Sequence, residues 1–202
     1  MPYGGNDWLA LAPEATLEPE MPICDPHHHF WDFRTERIPY HRYLLHELAA
    51  DINSGHNVHS TVFVEARSMY RPDGPEELRT VGEVEFVQGL AAASANGLYG
   101  PGRAAAAIIG HANLNLGDRV EPVLEALRAA SPNRFRGVRH SCGWDPHPEV
   151  ENRAPEDQLA SDEFRAGARV LARLGFVYEN TVFFPQLPEV AAFARALPDL
   201  TI

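Results

Sequence analysis

Three consecutive histidines, His27, His28 and His29, follow the apolar opening Ile23-Cys24-Asp25-Pro26 and are closed by Phe30-Trp31-Asp32. In extended backbone, residues two apart share a face, about 6.5 Å from each other along the strand. His27 and His29 then point one way and His28 the other. Two neutral imidazoles on one side of a strand end can chelate one divalent ion, since imidazole is the commonest nitrogen ligand in proteins. Taken alone, the stretch also fits a polar loop that happens to be histidine-rich. An affinity tag does not fit, because the run is internal.

Other ionisable residues stand where further strands should end. Glu65 closes the β-branched run Thr61–Ala66, His111 follows Ala104–Gly110, and Arg139 and His140 end Phe135–Arg139. In a parallel barrel the C-terminal strand ends gather one site. Chance loop starts would supply Ser, Gly and Asn just as readily. On this reading His27 and His29 hold the metal. Asp25 orients a ligand histidine rather than binding the ion. Glu65, His111, Arg139 and His140 line a substrate pocket, with Arg139 as a fork for a substrate carboxylate. His41, His46, His56, His59 and His147 read as surface residues.

The elements that must position these groups come in alternation. Residues 1–20, with Pro13, Pro19 and several acids, read as an extended arm, and 21–202 as one domain. Strands are predicted at about 21–25, 61–66, 104–110 and 135–139. A fifth is predicted over 176–184, bulged or broken at Glu179-Asn180, and a sixth apolar run starts at Leu200. Helices are predicted at about 44–52, 76–96, from an Asp118 cap, from a Ser161 or Asp162 cap to Gly175, and from Pro188 to Leu197. Repeated βα units imply a parallel sheet covered by helices, either doubly wound or closed as a barrel. No glycine-rich loop follows the first strand, which counts against a dinucleotide-binding sheet. Both outcomes stay open at this point; in an α/β (β/α)8 TIM barrel this chain would supply about the first five to six βα units.

With 202 residues, 45% hydrophobic and 22% charged, the chain suits one globular core. A net charge of −11 argues against a nucleic-acid or anionic-membrane surface, and no run is long enough to span a bilayer. The start lacks the regions of a secretory signal, and two cysteines, Cys24 and Cys142, make no disulfide framework. Both points suggest a reducing cytoplasm and buried thiols. The partner is then a small molecule. Unpaired strand edges would further favour a homo-oligomer.

The chain resembles the amidohydrolase superfamily, nearest the amidohydrolase-related (amidohydrolase 2) group that includes sugar lactonases and 2-pyrone-4,6-dicarboxylate lactonase. The resemblance rests on Asp25-x-His27-x-His29-Phe30-Trp31-Asp32. It continues through Val62–Ala66, Ile109–Leu114, Arg136–His140 and Pro185–Glu189. It implies a hydrolase that opens a small cyclic ester, a carboxylated lactone for example, with a divalent metal, zinc first, held by His27 and His29. Some members of the group work without metal. It also places a later histidine and a last-strand aspartate past Ile202, so no catalytic residue is assigned here. A decarboxylase of an aromatic or muconate-type acid is the alternative within the superfamily. An inactive, metal-binding or assembly fragment is the alternative outside it.

Overall fold

The computed structural model describes residues 10–32 and 40–202. Strands β1 (Pro22–His28), β2 (Asn57–Val64), β3 (Arg103–His111), β4 (Phe135–Arg139) and β5 (Val177–Glu179) form one sheet. Every pairing is parallel, and the order in space is the order in sequence. Each crossover therefore steps one place in the same direction. A doubly wound sheet reverses its order at a switch point; this sheet does not. It curls far enough that His27 at the end of β1 comes within 3.6 Å of Glu179 at the end of β5. The result is a half-barrel of five parallel strands.

Helices α1 (Leu45–Ile52), α2 (Val81–Ser94), α3 (Glu121–Ala130), α4 (Asp162–Leu174) and α5 (Leu187–Ala196) connect the strands. Val84, Val87, Ile108, Leu124, Leu127 and Val138 are fully buried in the single apolar cluster these elements form. Burying a side chain of this size contributes about 1.5–3 kcal/mol. β4 and β5 approach closely because residue 137 is glycine: a Cβ there would lie 2.1 Å from the Val177 carbonyl oxygen. Gly175 ends α4 in the left-handed conformation, φ 73°, that L side chains disfavour. Ser161 caps the same helix, its hydroxyl accepting from the Phe164 amide at 3.2 Å.

Several expectations shift. β1 runs on through His28, so His27 and His28 lie within the strand and His29 directly follows it. Asp118 does not cap α3: a 3-10 segment covers Leu114–Val120, and Pro122, which fits only the first turn, fixes the helix start at Glu121. The 76–96 helix is a short 3-10 turn at Glu76–Leu78 followed by α2. β5 stops at Glu179; Pro185 sits in a 3-10 turn at Phe184–Gln186, and the Thr181 carbonyl accepts from the Cys142 amide. The sixth apolar run meets β5 through one bond, Tyr178 N–H to the Thr201 carbonyl at 2.9 Å.

Cys142 is buried, but Cys24, on the edge strand β1, is exposed. Of the arm, residues 1–9 lie outside the described residues. Residues 10–20 carry no helix or strand and touch the body where the Glu20 carbonyl accepts from the Asn57 side chain. No helix among the described residues is long and apolar enough to cross a membrane.

Candidate active site

The alternation along β1 sends His28 inward between the rings of Phe30 and Phe63, with centroids 4.7 and 5.8 Å away, and leaves His27 and His29 together on the other face. Their Nε2 atoms are 3.2 Å apart. Neighbours set the tautomers. His29 Nδ1 lies 2.7 Å from the Val64 carbonyl, which only accepts, so that nitrogen carries the hydrogen and Nε2 is bare. Burial lowers the His29 pKa, keeping the ring neutral although the carbonyl favours the charged form. His27 has the Glu179 carboxylate 3.6 Å from Nδ1 and the Arg139 Nη1 donor 3.4 Å from Nε2. Glu179 beside Nδ1 and the Arg139 donor beside Nε2 favour the tautomer with its hydrogen on Nδ1.

The two Nε2 atoms thus face each other at a spacing that one shared hydrogen or one cation can bridge. Zn–N bonds of about 2.0–2.1 Å at a tetrahedral angle separate two ligand nitrogens by roughly 3.3 Å. The pair therefore fits one divalent ion as two of its ligands. Among the described residues no group of three or more His, Cys, Asp or Glu is placed to hold a metal. Asp25 acts on His27 through the backbone, its Oδ1 accepting from the His27 amide at 3.1 Å, and not through the imidazole.

Glu65 and Arg139 lie beside the pair and are occupied with each other. Arg139 Nε donates to Glu65 Oε1 at 2.9 Å and Nη2 donates to the Glu65 carbonyl. Arg139 is therefore a strut between β2 and β4, and only its Nη1 is turned toward His27 and Glu179. The fork expected to take a substrate carboxylate is already filled. Glu179 is half-buried; burial pushes its carboxyl up, against the pull of Arg139 and His27.

His111 and His140 form a second pair, ring centroids 5.4 Å apart, in an adjoining cavity of about 690 Å³. His111 Nδ1 donates to the Arg139 carbonyl at 2.9 Å, leaving a bare Nε2. His140 Nδ1 accepts from the Leu114 amide at 3.1 Å, so its hydrogen is on Nε2. Burial first, then His111, lowers His140 to about 3, so it stays neutral. The cavity wall thus offers one acceptor and one donor with fixed roles.

Sequence reasoning missed four residues here. Glu179 ends an apolar strand as Glu65 nearly does, but was read as a break. Arg67 and Arg153 sit in loops with no periodic signal. Glu83 shares a helical stripe with Val87 and Ala91, and a charge on such a stripe is the available clue. It is fully buried, and its Oε1 accepts from the amides of Ala66 at 2.9 Å and Ser68 at 2.7 Å. These bonds bracket Arg67, whose φ of 55° is left-handed, as is that of Met69. Such non-glycine conformations cost about 1–3 kcal/mol each and persist where surroundings enforce them.

The amidohydrolase family profile matches residues 24–202. A curated relative, the uncharacterized protein y4mH of Sinorhizobium fredii, is 24% identical over 91% of this chain and 61% of its own length. An amidohydrolase from Burkholderia multivorans solved with bound zinc superposes with a TM-score of 0.55 at 22% identity. That alignment covers 87% of this chain and 54% of the other. Amidohydrolase 2 from Bifidobacterium longum subsp. infantis superposes with a TM-score of 0.55 at 19% identity, over 90% of this chain and 59% of its own. The chain thus spans a little over half the length of these relatives, and the two structures share its fold. A profile match across nearly the whole chain, on a one-way parallel sheet with a histidine pair at its strand ends, makes this protein a member of the amidohydrolase family.

Proposed function

We propose that this half-barrel belongs to a metal-assisted hydrolase that opens a small cyclic ester, closing into the eight-stranded barrel in the complete protein. The observation that carries the reading is the pair of Nε2 atoms that face each other, 3.2 Å apart, at the mouth of the curled sheet. His27 and His29 would hold the ion, and a divalent ion there supplies polarisation of the scissile carbonyl and a water acidified to a pKa of about 7. The chain's own residues supply orientation. Val64 fixes the His29 ring, while Glu179 and the Arg139–Glu65 strut hold His27 and the β2 and β4 ends in place. His111 Nε2 and His140 Nε2–H give a substrate hydroxyl or ring oxygen one acceptor and one donor.

The test has two arms. The 202-residue chain, titrated with Zn²⁺ after chelator treatment, should bind near one equivalent, and His27→Ala/His29→Ala should bind none. The zinc-loaded protein, extended to the relatives' full length, should acidify solutions of five- and six-membered lactones. Equal zinc uptake by both chains would end the ligand assignment. Carbon dioxide release without ring opening would replace the lactonase with a decarboxylase.

A further inference from the structure

A smaller cavity of about 330 Å³ lies against His29 and is lined by His29, Glu65, Ala66, Arg67, Arg139 and Arg153. Its charges are unbalanced. Glu65 is bonded to Arg139, so those two cancel. Arg67 and Arg153 have no ion-pair or side-chain hydrogen-bond partner among the described residues, in a chain whose acids outnumber its bases by 28 to 17. Both arginines also line the His111–His140 cavity and so stand between the two spaces. The far side carries Glu76 and Glu77 along with Arg79; on the His29 side Glu65, already bonded to Arg139, is the one acid among the described residues of the lining.

Arg67 is also placed deliberately. The chain turns left-handed at Arg67, and the amides on either side of it are held by one buried oxygen of Glu83. An exposed arginine needs no such clamp to reach solvent; a guanidinium that must meet a small anion at a set point does.

We propose that Arg67 and Arg153 form an oxyanion subsite beside His29, which takes a carboxylate or phosphate carried by the substrate away from its scissile bond. This rests on the hydrolase reading and names its substrate class as anionic. Two arginine forks facing one cavity suit an oxyanion better than ammonium groups would, because each presents paired N–H donors in a plane. Arg139 then has the separate task of bracing the strand ends.

The test is binding, read by calorimetry at low salt with chelator present, so that metal and turnover do not enter. Phthalate and inorganic phosphate are the probes. Wild type should bind one of them measurably, and the tighter one identifies carboxylate or phosphate as the source. Arg67→Ala and Arg153→Ala should each weaken that binding at least tenfold, and Arg67→Lys should recover only part of it. Arg169→Ala, outside this cavity, should bind as wild type does. Circular dichroism checks that each variant is folded, and Arg67→Gln serves if Arg67→Ala is not. Unchanged affinity in the double variant, equal loss in Arg169→Ala, or no binding of either probe by wild type overturns the subsite. Because no step of hydrolysis is measured, a failed search for lactone opening leaves this result intact, and the reverse holds too.

Discussion

Arg139 and Glu65 are joined twice, once through the Glu65 carboxylate at 2.9 Å and once through its backbone carbonyl. Their side chains are 15% and 9% exposed, so the pair is held largely out of water. Removing one member of such a pair strands a charge and costs about 3–5 kcal/mol, whereas replacing both with apolar groups is far milder. Arg139→Met should therefore lower urea-unfolding stability by about that amount. Arg139→Met/Glu65→Leu should recover most of the loss. A double variant as unstable as the single would show that Arg139 is not chiefly Glu65's partner.

The pattern that makes this pair visible was only partly legible in the sequence. Strand order and the facing of His27 and His29 followed from period-two alternation, a strictly local property. The strand-end rule also picked out Glu65 and Arg139. It could not say that the two would bond each other, because that depends on the lateral spacing of β2 and β4, across β3. Glu179 was lost to an expected bulge, since three residues of strand give little period to read. Arg67 was hidden for a different reason: its left-handed backbone is imposed by Glu83 sixteen residues later, and no local propensity encodes it.

Glu83 should make stability pH-dependent in a particular window. Burial raises its pKa from 4.5 to about 7, although the Ser68 and Ala66 amides oppose the rise. Between those values the folded chain holds a proton that the unfolded chain has released. The associated stability is fully present below about 4.5 and is lost as pH rises through about 7. The loss is on the order of 3 kcal/mol. Glu83→Gln keeps an oxygen for both amides but cannot titrate, so its urea midpoint should stay level where the wild type declines. Parallel curves from pH 5 to 8 would show that Glu83 is ionised throughout.

β1 is an edge strand; Cys24 is exposed on it and Met21 just before it. Unpaired strand edges template pairing with another chain, and a lysine on the edge blunts that tendency. In reducing buffer the 202-residue chain should show concentration-dependent dimers by light scattering. Cys24→Lys should shift the population toward monomer. A wild type that stays monomeric at high concentration would show that this edge does not pair.

His28 is the histidine of the triplet that does no chelation. It is 7% exposed, and neither ring nitrogen has a hydrogen-bond partner among the described residues. Burial lowers its pKa from 6.5 to about 4. The unfolded chain therefore takes up a proton below 6.5 that the folded chain refuses until about 4, and stability falls as pH drops through that range. His28→Leu removes both the buried, unpartnered nitrogens and the titration, while Phe30 and Phe63 keep an apolar neighbour. The variant should gain about 1 kcal/mol at pH 7, the lower end of the cost of an unsatisfied buried polar group. Its advantage over wild type should widen toward pH 4. Unfolding measured with chelator present keeps metal binding out of the comparison, and zinc uptake by the same variant should be unchanged, because residue 28 faces away from the pair. Lost uptake would mean that the imidazole between the phenyl rings sets the position of His27 and His29.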